Sequence, residues 1–356
     1  MQDLNPLIGK ITPASPRWKA KAEARTARLV MPPRALGRLH PIAEQLCAIG
    51  ETLAPDISRR AFVVMAGDHG VAAEGVSAFP QAVTGEMIRC FLKNGAGINV
   101  LARQAGAEVF VVDAGIIPDL DPTGLPGADH YRVRKVARGT ANFAQGPAMS
   151  RDQARAAVLA GWEEATALID GGYRLLGTGD MGIANTTAAA AVGVVLTGCG
   201  IEEMVGRGTG IDDAGLERKR TAIEKGIQRN GPDPGDGLDV LAKVGGFEIG
   251  AIAGLILAAA AAKRPVVMDG LISTAGALVA WALCPTVTDY LFAGHCGEEP
   301  GHRHMLARLG LAPILSLGLR LGEGTGGALA LPILDAALRI FSEMHTFEEA
   351  GVSTPG

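Results

Sequence analysis

The sequence predicts an α/β protein in which a doubly wound, mostly parallel sheet is accompanied by a small helical domain. Two observations predict the sheet: short runs rich in Val, Ile and Leu recur along the chain, and each ends in a glycine-bearing turn before a longer helical pattern. A third predicts the helical domain, because both terminal segments show helical patterns outside this rhythm. The apolar content, 48% of 356 residues, is enough for a substantial core.

In chain order, the strand-like runs are AFVVMAGDHG, EVFVVDAGI, YRLLGTGDMG, RPVVMDGLIST, YLFAGH and PILSLGLRLGEGTGG. Runs of this kind are typical of buried parallel strands joined by helical crossovers. No repeat of fixed period is evident, which argues against a solenoid. In open parallel sheets, ligands bind beyond the carboxyl ends of the strands. We therefore expect the glycine-bearing turns to surround one crevice.

The terminal segments predict the small domain. Helical patterns cover Trp18 to Leu29 and Arg34 to Ile49, and the C-terminal stretch LPILDAALRIFSEMHTF is also helical. We expect residues 1–55 and 332–356 to pack together as this helical domain. Residues 56–331 then form the larger, catalytic domain.

Charge and composition restrict the possible partners. The net charge of −4 comes from 33 basic and 37 acidic residues without a basic run that could neutralise a phosphate backbone, so we expect no nucleic-acid partner. The apolar segment from Ile249 to Ala262 is shorter than the ~20 residues that span a bilayer, which predicts a buried helix and no membrane association. The five scattered cysteines form no C-x-x-C pair and indicate a reducing, cytoplasmic compartment.

One motif, Gly177, Gly179 and Gly182 in GTGDMG, has the G-x-G-x-x-G spacing of a dinucleotide-binding turn. That fold also needs a second strand with an acidic end about 20 residues further on. The intervening ANTTAAAAVGVVLTG instead reads as one continuous helix, so a dehydrogenase is not favoured. A glycine turn that leads into a helix with Asn185, Thr186 and Thr187 in its first turn could still bind an anion such as a mononucleotide phosphate. Capping of that helix by the same side chains is the alternative interpretation.

A group of blocks in order along the chain carries a family resemblance: MAGDHGV, GTGDMGIANTT, VGRGTGIDDAGLERKR, DVLAKVGGFEIGAIAG, MDGLISTAGAL, AGHCGEEPGHR and LRLGEGTGGALALPILDAA. Together they closely resemble the nicotinate-nucleotide:dimethylbenzimidazole phosphoribosyltransferase family of cobalamin synthesis, from about residue 30 to residue 345. The resemblance implies transfer of the phosphoribosyl group of nicotinate mononucleotide to a benzimidazole base, with release of nicotinate and formation of an α-ribotide. It also implies a Rossmann-like large domain, a homodimer, and activity without a metal or another cofactor.

The resemblance places Glu323, in LGEGTGG, at the position of the general base. A benzimidazole that attacks C1′ through one ring nitrogen must lose the proton on the other, while nicotinate leaves as a neutral pyridine and needs no acid. One carboxylate is therefore enough, and burial should raise its pKa from ~4.3. Asp180, in GTGDMG, stands where family members commonly have Glu and is one methylene shorter. We expect Asp180 to act electrostatically and to hold its turn, and a share in the base role of Glu323 is the alternative.

Further site residues are implied by matching motifs. Lys219 matches the phosphate-contacting lysine, although a lysine within LERKR would alone indicate a solvated helix face. The phosphate and ribose loops of the family match Gly177, Gly179, Asn185 and Thr186. Two more residues match the lining of the base pocket, Phe79 and Met87, and an aromatic ring and a thioether suit a flat bicyclic base. A plain core role is the alternative for this pair.

The stretch HCGEEPGHRH invites a metal hypothesis, but its spacing fits no standard zinc pattern. His302 and His304 are two residues apart on a predicted helix and would point to different faces. We expect His295 to end a strand at the crevice, and Asp68 and His69 to form a supporting strand-end loop. A different class of function remains open at this point, namely a catalytically idle nucleotide-binding or regulatory relative.

Overall fold

The structure, a computed structural model, describes residues 4–353. Within this range six strands form one parallel sheet in the order β3-β2-β1-β4-β5-β6. The strands are β1 Arg60–Gly67, β2 Ala107–Gly115, β3 Tyr131–Val133, β4 Leu175–Met181, β5 Val266–Met268 and β6 Leu291–Ala293. This order is that of Rossmann-like doubly wound sheets, and the chain reverses direction across the sheet between β1 and β4. The α/β class and the parallel sheet predicted from the sequence are confirmed.

The helices lie on both faces of the sheet. They are α1 Asn5–Ile8, α2 Pro16–Thr26, α3 Leu39–Gly50, α4 Val83–Leu92, α5 Gly97–Gln104, α6 Arg151–Asp170, α7 Asn185–Thr197, α8 Ile201–Met204, α9 Asp213–Asn230, α10 Gly237–Val244, α11 Phe247–Ala261, α12 Leu271–Leu283, α13 Pro300–Leu309, α14 Thr325–Glu343 and α15 Phe347–Ala350. Short 3₁₀ turns cover Gly70–Glu74, Ala128–His130 and Pro285–Tyr290.

The apolar helix α11 is a core element, as the sequence predicts. Its residues from Phe247 to Ala260 are all buried, and it packs closely along α6. This close approach depends on small residues, because a Cβ on Gly161 or Gly254 would lie 1.8 Å from a carbonyl oxygen of the opposite helix. Among the described residues, the helix that is long and apolar enough to cross a membrane by length and composition is α14, and half of it is buried in the protein.

The two terminal segments contact each other. Leu29 and Thr346 form an isolated antiparallel bridge, and the guanidinium of Arg25 donates a hydrogen bond of 2.8 Å to the carbonyl of Phe341. These contacts support the proposed small domain of residues 1–55 and 332–356, which remains a proposal. Its boundary at residue 331/332 lies within α14, because this helix continues through Pro332.

The prediction of a last strand at PILSLGLRLGEGTGG is wrong. Apart from a bridge between Leu315 and His295, residues 311–324 form an irregular loop. Its backbone has positive φ angles at Gly318, Gly322 and Gly324, which interrupt the regular extended conformation of a strand. The edge strand β3 was not predicted, because three residues are too short to produce a periodic signal.

Candidate functional site

A cavity of about 350 Å³ lies at the carboxyl ends of the central strands, where the sequence places the crevice. The turn after β4, the first turn of α7, the loop after β6 and the loop before α14 all contribute to its wall. Of the residues predicted for the site, the cavity is lined by Phe79, Met87, Asp180, Asn185, Thr186, His295 and Glu323. Distant segments of the chain are thus brought together as the motifs predict.

Glu323 projects from a backbone turn of unusual conformation. Gly322, Glu323 and Gly324 have consecutive positive φ angles of 80°, 66° and 106°, and the left-handed region is costly for a glutamate. Its Oε2 accepts a hydrogen bond of 3.1 Å from the amide of Ile98. Burial raises the pKa of Glu323 above the ordinary value, and the nearby charge of Asp269 acts in the same direction. The carboxylate is therefore held in place and made more basic.

Gly177 and Gly179 lie within β4 and are not part of the cavity wall. A Cβ on Gly177 would lie 2.2 Å from the ring of Phe62, and one on Gly179 would lie 2.2 Å from the carbonyl oxygen of Glu323. Their position gives them a packing role, because side chains here would displace the sheet core or the turn that carries Glu323. The phosphate and ribose contacts predicted for these two glycines find no support in their placement.

Asp180, at the end of β4, is buried beside the same turn. Its Oδ2 accepts a hydrogen bond of 2.9 Å from the side chain of Asn185, while its Oδ1 has no protein partner. Burial raises the pKa of Asp180 well above the ordinary value, and the charges of Asp269 and Glu248 add to this effect. Such a carboxyl group is disposed to carry a proton and to act as a neutral polar group in the free protein.

The first turn of α7 carries polar side chains that do not cap it. Ala184 precedes the helix, and no side chain accepts a hydrogen bond at this cap. Instead Asn185 contacts Asp180, and Thr186 Oγ1 accepts a hydrogen bond of 2.9 Å from Lys219 Nζ. The capping interpretation is thus not what the structure shows. These side chains are directed toward neighbouring groups of the site.

Lys219 is a fully buried ammonium group, in contrast to the solvated face that its charged neighbours suggest. Besides Thr186, it donates a hydrogen bond of 3.0 Å to the carbonyl of Gly206. Burial lowers the pKa of Lys219 to about 8, against an opposing effect of Glu299. Because Thr186 and Gly208 line the cavity beside it, the ammonium group stands directly behind that part of the wall.

The other side of the cavity is apolar. Phe79 precedes α4 and is 53% exposed, and Met87 lies on α4 and is partly buried. Val83 lies between them on the cavity wall, and Leu321 stands in the loop before α14. This arrangement provides a surface against which a flat aromatic ring could stack.

The histidines of HCGEEPGHRH have separate environments. His295 follows β6 and reaches the cavity, with its Nε2 3.2 Å from Asp269 Oδ1. His302 is buried: its Nδ1 accepts a hydrogen bond of 2.9 Å from the amide of Gly297, and its Nε2 lies 3.0 Å from Thr274 Oγ1. Burial lowers the pKa of His302 to about 4, so this ring is neutral at physiological pH. No group of three or more His, Cys, Asp or Glu residues within 4–353 is arranged to hold a metal.

The supporting loop GDHG contains His69, which forms a buried pair with Glu248 of α11. His69 Nε2 lies 2.8 Å from Glu248 Oε1, and both side chains are inaccessible to solvent. Burial opposes protonation of His69, but the charge and hydrogen bond of Glu248 outweigh it and raise the histidine pKa. Neither residue of this pair lines the cavity, so the supporting role predicted for this loop stays a prediction.

Two polar residues of the site were missed as site residues from the sequence. Asp269 follows β5 and contacts the loop before α14, and Glu299 lines the cavity and accepts a hydrogen bond of 2.8 Å from the amide of Gly208. The strand-end position of Asp269 in MDGLIST is a signal that could have singled it out. Glu299 lies within HCGEEPGHRH, for which the sequence suggests only the metal hypothesis.

A buried carboxylate, a buried ammonium group and an apolar wall surround one crevice of a Rossmann-like sheet, an arrangement typical of an enzyme that acts on a phosphorylated small molecule. The phosphoribosyltransferase family model matches residues 11–352. The nicotinate-nucleotide–dimethylbenzimidazole phosphoribosyltransferase of Geotalea uraniireducens is 52% identical over 353 residues, which are 99% of each chain. The enzyme of the same name from Geobacter sulfurreducens is 53% identical over 350 residues, 98% of each chain.

Solved structures agree with these relatives. A crystal structure of CobT from Thermus thermophilus superimposes with a TM-score of 0.90 at 50% identity, and the match covers 96% of this chain and 100% of that one. The chain belongs to the nicotinate-nucleotide–dimethylbenzimidazole phosphoribosyltransferase family.

Proposed function

We propose that this chain transfers the phosphoribosyl group of nicotinate mononucleotide to 5,6-dimethylbenzimidazole or a related base, with Glu323 as the general base. The observation that carries this proposal is the Glu323 carboxylate, which is buried at the cavity, fixed by the Ile98 amide and raised in pKa. The products are nicotinate and α-ribazole phosphate, an intermediate of the lower-ligand branch of cobalamin synthesis.

The reaction needs one proton acceptor. One benzimidazole nitrogen forms a bond to C1′ as the bond from C1′ to the pyridinium nitrogen breaks, and the electron pair of the broken bond leaves with nicotinate. The proton on the second benzimidazole nitrogen passes to Glu323, which neutralises the new ring cation. Because the departing pyridine is already neutral, the chemistry calls for no acid opposite the base.

The remaining predicted residues divide between the two ends of the substrates. Thr186 and Lys219 form a polar end suited to the phosphate, since a buried ammonium group gains most from an anionic partner. Phe79 and Met87 form the apolar end suited to the base. His295 and Asn185 also line the cavity, and we assign them to the ribose.

The direct test is incubation with nicotinate mononucleotide and 5,6-dimethylbenzimidazole, with chromatographic detection of nicotinate and of the ribotide. We expect both products in equal amounts. Binding of the nucleotide without release of nicotinate would instead establish an idle nucleotide-binding relative, an alternative that the full-length relatives do not favour. Parallel assays with unsubstituted benzimidazole and with adenine would identify the class of accepted base.

For Asp180 we expect Asp180→Asn to reduce turnover by less than about tenfold, because an amide resembles the neutral carboxyl group that burial favours. The new amide can still accept the hydrogen bond from Asn185. Steady-state kinetics at pH 7 would check this expectation. The companion variant Asp180→Glu restores the common residue of the family and should have near-normal activity. A loss for Asp180→Asn as large as that for the corresponding Glu323 variant would mean that both carboxylates share the proton transfer.

We also propose a homodimer in the cytoplasm. The dimer rests on the family resemblance and agrees with the exposure of two large apolar side chains near the cavity, Leu317 at 58% and Leu321 at 61%. Free thiols at all five cysteines agree with a reducing compartment. Light scattering at working concentration should give twice the chain mass of 36.6 kDa, and a monomeric mass would contradict the dimer.

A further inference from the structure

Asp269, at the carboxyl end of β5, has contacts that the reaction scheme above does not use. It is 1% exposed, and its carboxylate accepts hydrogen bonds from three backbone amides of one segment. Gly324 donates to Oδ2 at 3.0 Å, and Gly326 and Gly327 donate to Oδ1 at 2.7 and 3.2 Å. A single carboxylate therefore binds the residues that immediately follow Glu323.

These contacts complete the amino terminus of α14. Gly324 occupies the cap position of this 19-residue helix and has no side chain that could cap it. Asp269, which directly follows β5, supplies the missing acceptor. An anion is favoured at this end of a helix. The cap is thus a tertiary contact across 55 positions of sequence, and it fixes the start of the helix relative to the sheet.

The same contacts restrain the turn that carries the proposed base. Glu323 is held at a φ of 66°, a conformation that a free loop would leave. On one side, the backbone of Glu323 lies against β4 at Gly179, and on the other, Gly324 is bound to Asp269. Release of the Asp269 contacts would allow the turn to relax and the Glu323 carboxylate to move away from the cavity.

We propose that Asp269 is a positioning residue for the transfer reaction, since its carboxylate clamps the left-handed turn that presents Glu323 to the substrate. This inference rests on the proposed role of Glu323. His295 lies 3.2 Å from the same carboxylate and lines the cavity, so Asp269 links two walls of the site. It does not line the cavity itself, and it acts through the groups it holds.

The clamp also has an electrostatic effect. The titratable groups around Glu323 are Asp269 at the end of β5 and Asp180 at the end of β4, and burial favours the neutral form of Asp180. His295 lies beside Asp269, and Glu248 with its partner His69 lies further inside. The negative charge of Asp269 contributes to the raised pKa of Glu323. Loss of this charge should therefore lower the pH at which the base becomes protonated.

The test compares Asp269→Asn and Asp269→Glu with the wild-type enzyme in nicotinate release across pH. We expect kcat to fall about tenfold in both, because a small misplacement of a catalytic group is costly, while KM for nicotinate mononucleotide changes little. The acidic limb of the kcat profile should move to lower pH in Asp269→Asn and stay in place in Asp269→Glu, which keeps the charge. A structural role alone would not separate the two variants in this way.

Asp236→Asn is the matched control, since Asp236 caps α10 through the amides of Leu238 and Asp239 and does not line the cavity. It should retain the wild-type kcat and pH profile. A wild-type kcat in Asp269→Asn would overturn the proposal. If that variant does not fold, a wild-type kcat in Asp269→Glu would overturn it. Wild-type enzyme and Glu323→Gln in the same assay test the underlying function separately.

Discussion

Glu323→Gln is expected to lower turnover by roughly 10²-fold or more, the scale for loss of a positioned general base. The amide keeps the size of the side chain and can still accept the hydrogen bond from Ile98, so the turn should persist. What is lost is the capacity to take the benzimidazole proton. The measurement is kcat for nicotinate release, together with calorimetric binding of nicotinate mononucleotide, which should be nearly unchanged.

The pH dependence provides a second readout for Glu323. The base works only when ionised, and burial raises its pKa above the ordinary value, so wild-type activity should fall as pH drops through that raised pKa. The Gln variant should lose this acidic limb from its residual activity. Persistence of the limb with near-normal turnover would remove Glu323 from the mechanism.

Stability should not explain the loss. A carboxyl group whose pKa is higher in the folded than in the unfolded state binds more protons when folded, so its ionisation at neutral pH disfavours folding. Replacement by a neutral amide should leave the protein at least as stable at pH 7, as thermal unfolding would show. The matched control is Glu163→Gln, on α6, which removes the same charge from an exposed side chain outside the cavity wall and should keep full activity.

The sheet was predictable because its long strands are continuous apolar runs. β1 is buried from Ala61 to Gly67, and such a run has few alternatives to a central parallel strand. The error at PILSLGLRLGEGTGG has the opposite cause: its apolar residues alternate with glycines whose positive φ angles the sequence does not reveal. Composition alone could not distinguish a glycine-rich strand from a loop that folds over the sheet.

Two sources in the sequence point to residues of the site: local pattern and the family resemblance. The strand-end turns and the start of α7 follow from pattern, and the positions of Glu323 and Lys219 follow from the family resemblance. Asp269 and Glu299 were missed because their partners lie 55 and 91 residues away, and a carboxylate in a glycine-rich turn gives no sign of such a contact. The ligand contacts that the resemblance implies for Gly177 and Gly179 stay predictions, because both glycines lie within β4, where Gly177 packs against Phe62 and Gly179 against the turn of Glu323.

Lys219→Met is expected to weaken binding of nicotinate mononucleotide by roughly 10- to 100-fold, the range for loss of a hydrogen bond to a charged group. Methionine fills nearly the same buried volume but leaves the carbonyl of Gly206 without its donor, so thermal unfolding of the variant should accompany the binding measurement. Calorimetry would measure the affinity for the nucleotide and for 5,6-dimethylbenzimidazole separately. The affinity for the base should be nearly unchanged. The matched control is Lys225→Met, which replaces an exposed lysine of the same helix and should bind the nucleotide and the base as the wild type does.

The pH dependence of this binding distinguishes a charge effect from a packing effect. Burial lowers the pKa of Lys219 to about 8, so the free enzyme loses its ammonium charge as pH rises through that value. If the phosphate requires the charged form, affinity should decrease above pH 8 by about tenfold per pH unit, as linkage to one proton demands. A bound phosphate dianion stabilises the charge, so the decline should appear in kcat/KM and not in kcat. Lys219→Met should bind the nucleotide weakly at every pH, without this decline. If the variant instead lost affinity equally for the nucleotide and for the base, the cavity would be damaged and Lys219 would have no specific role toward the phosphate.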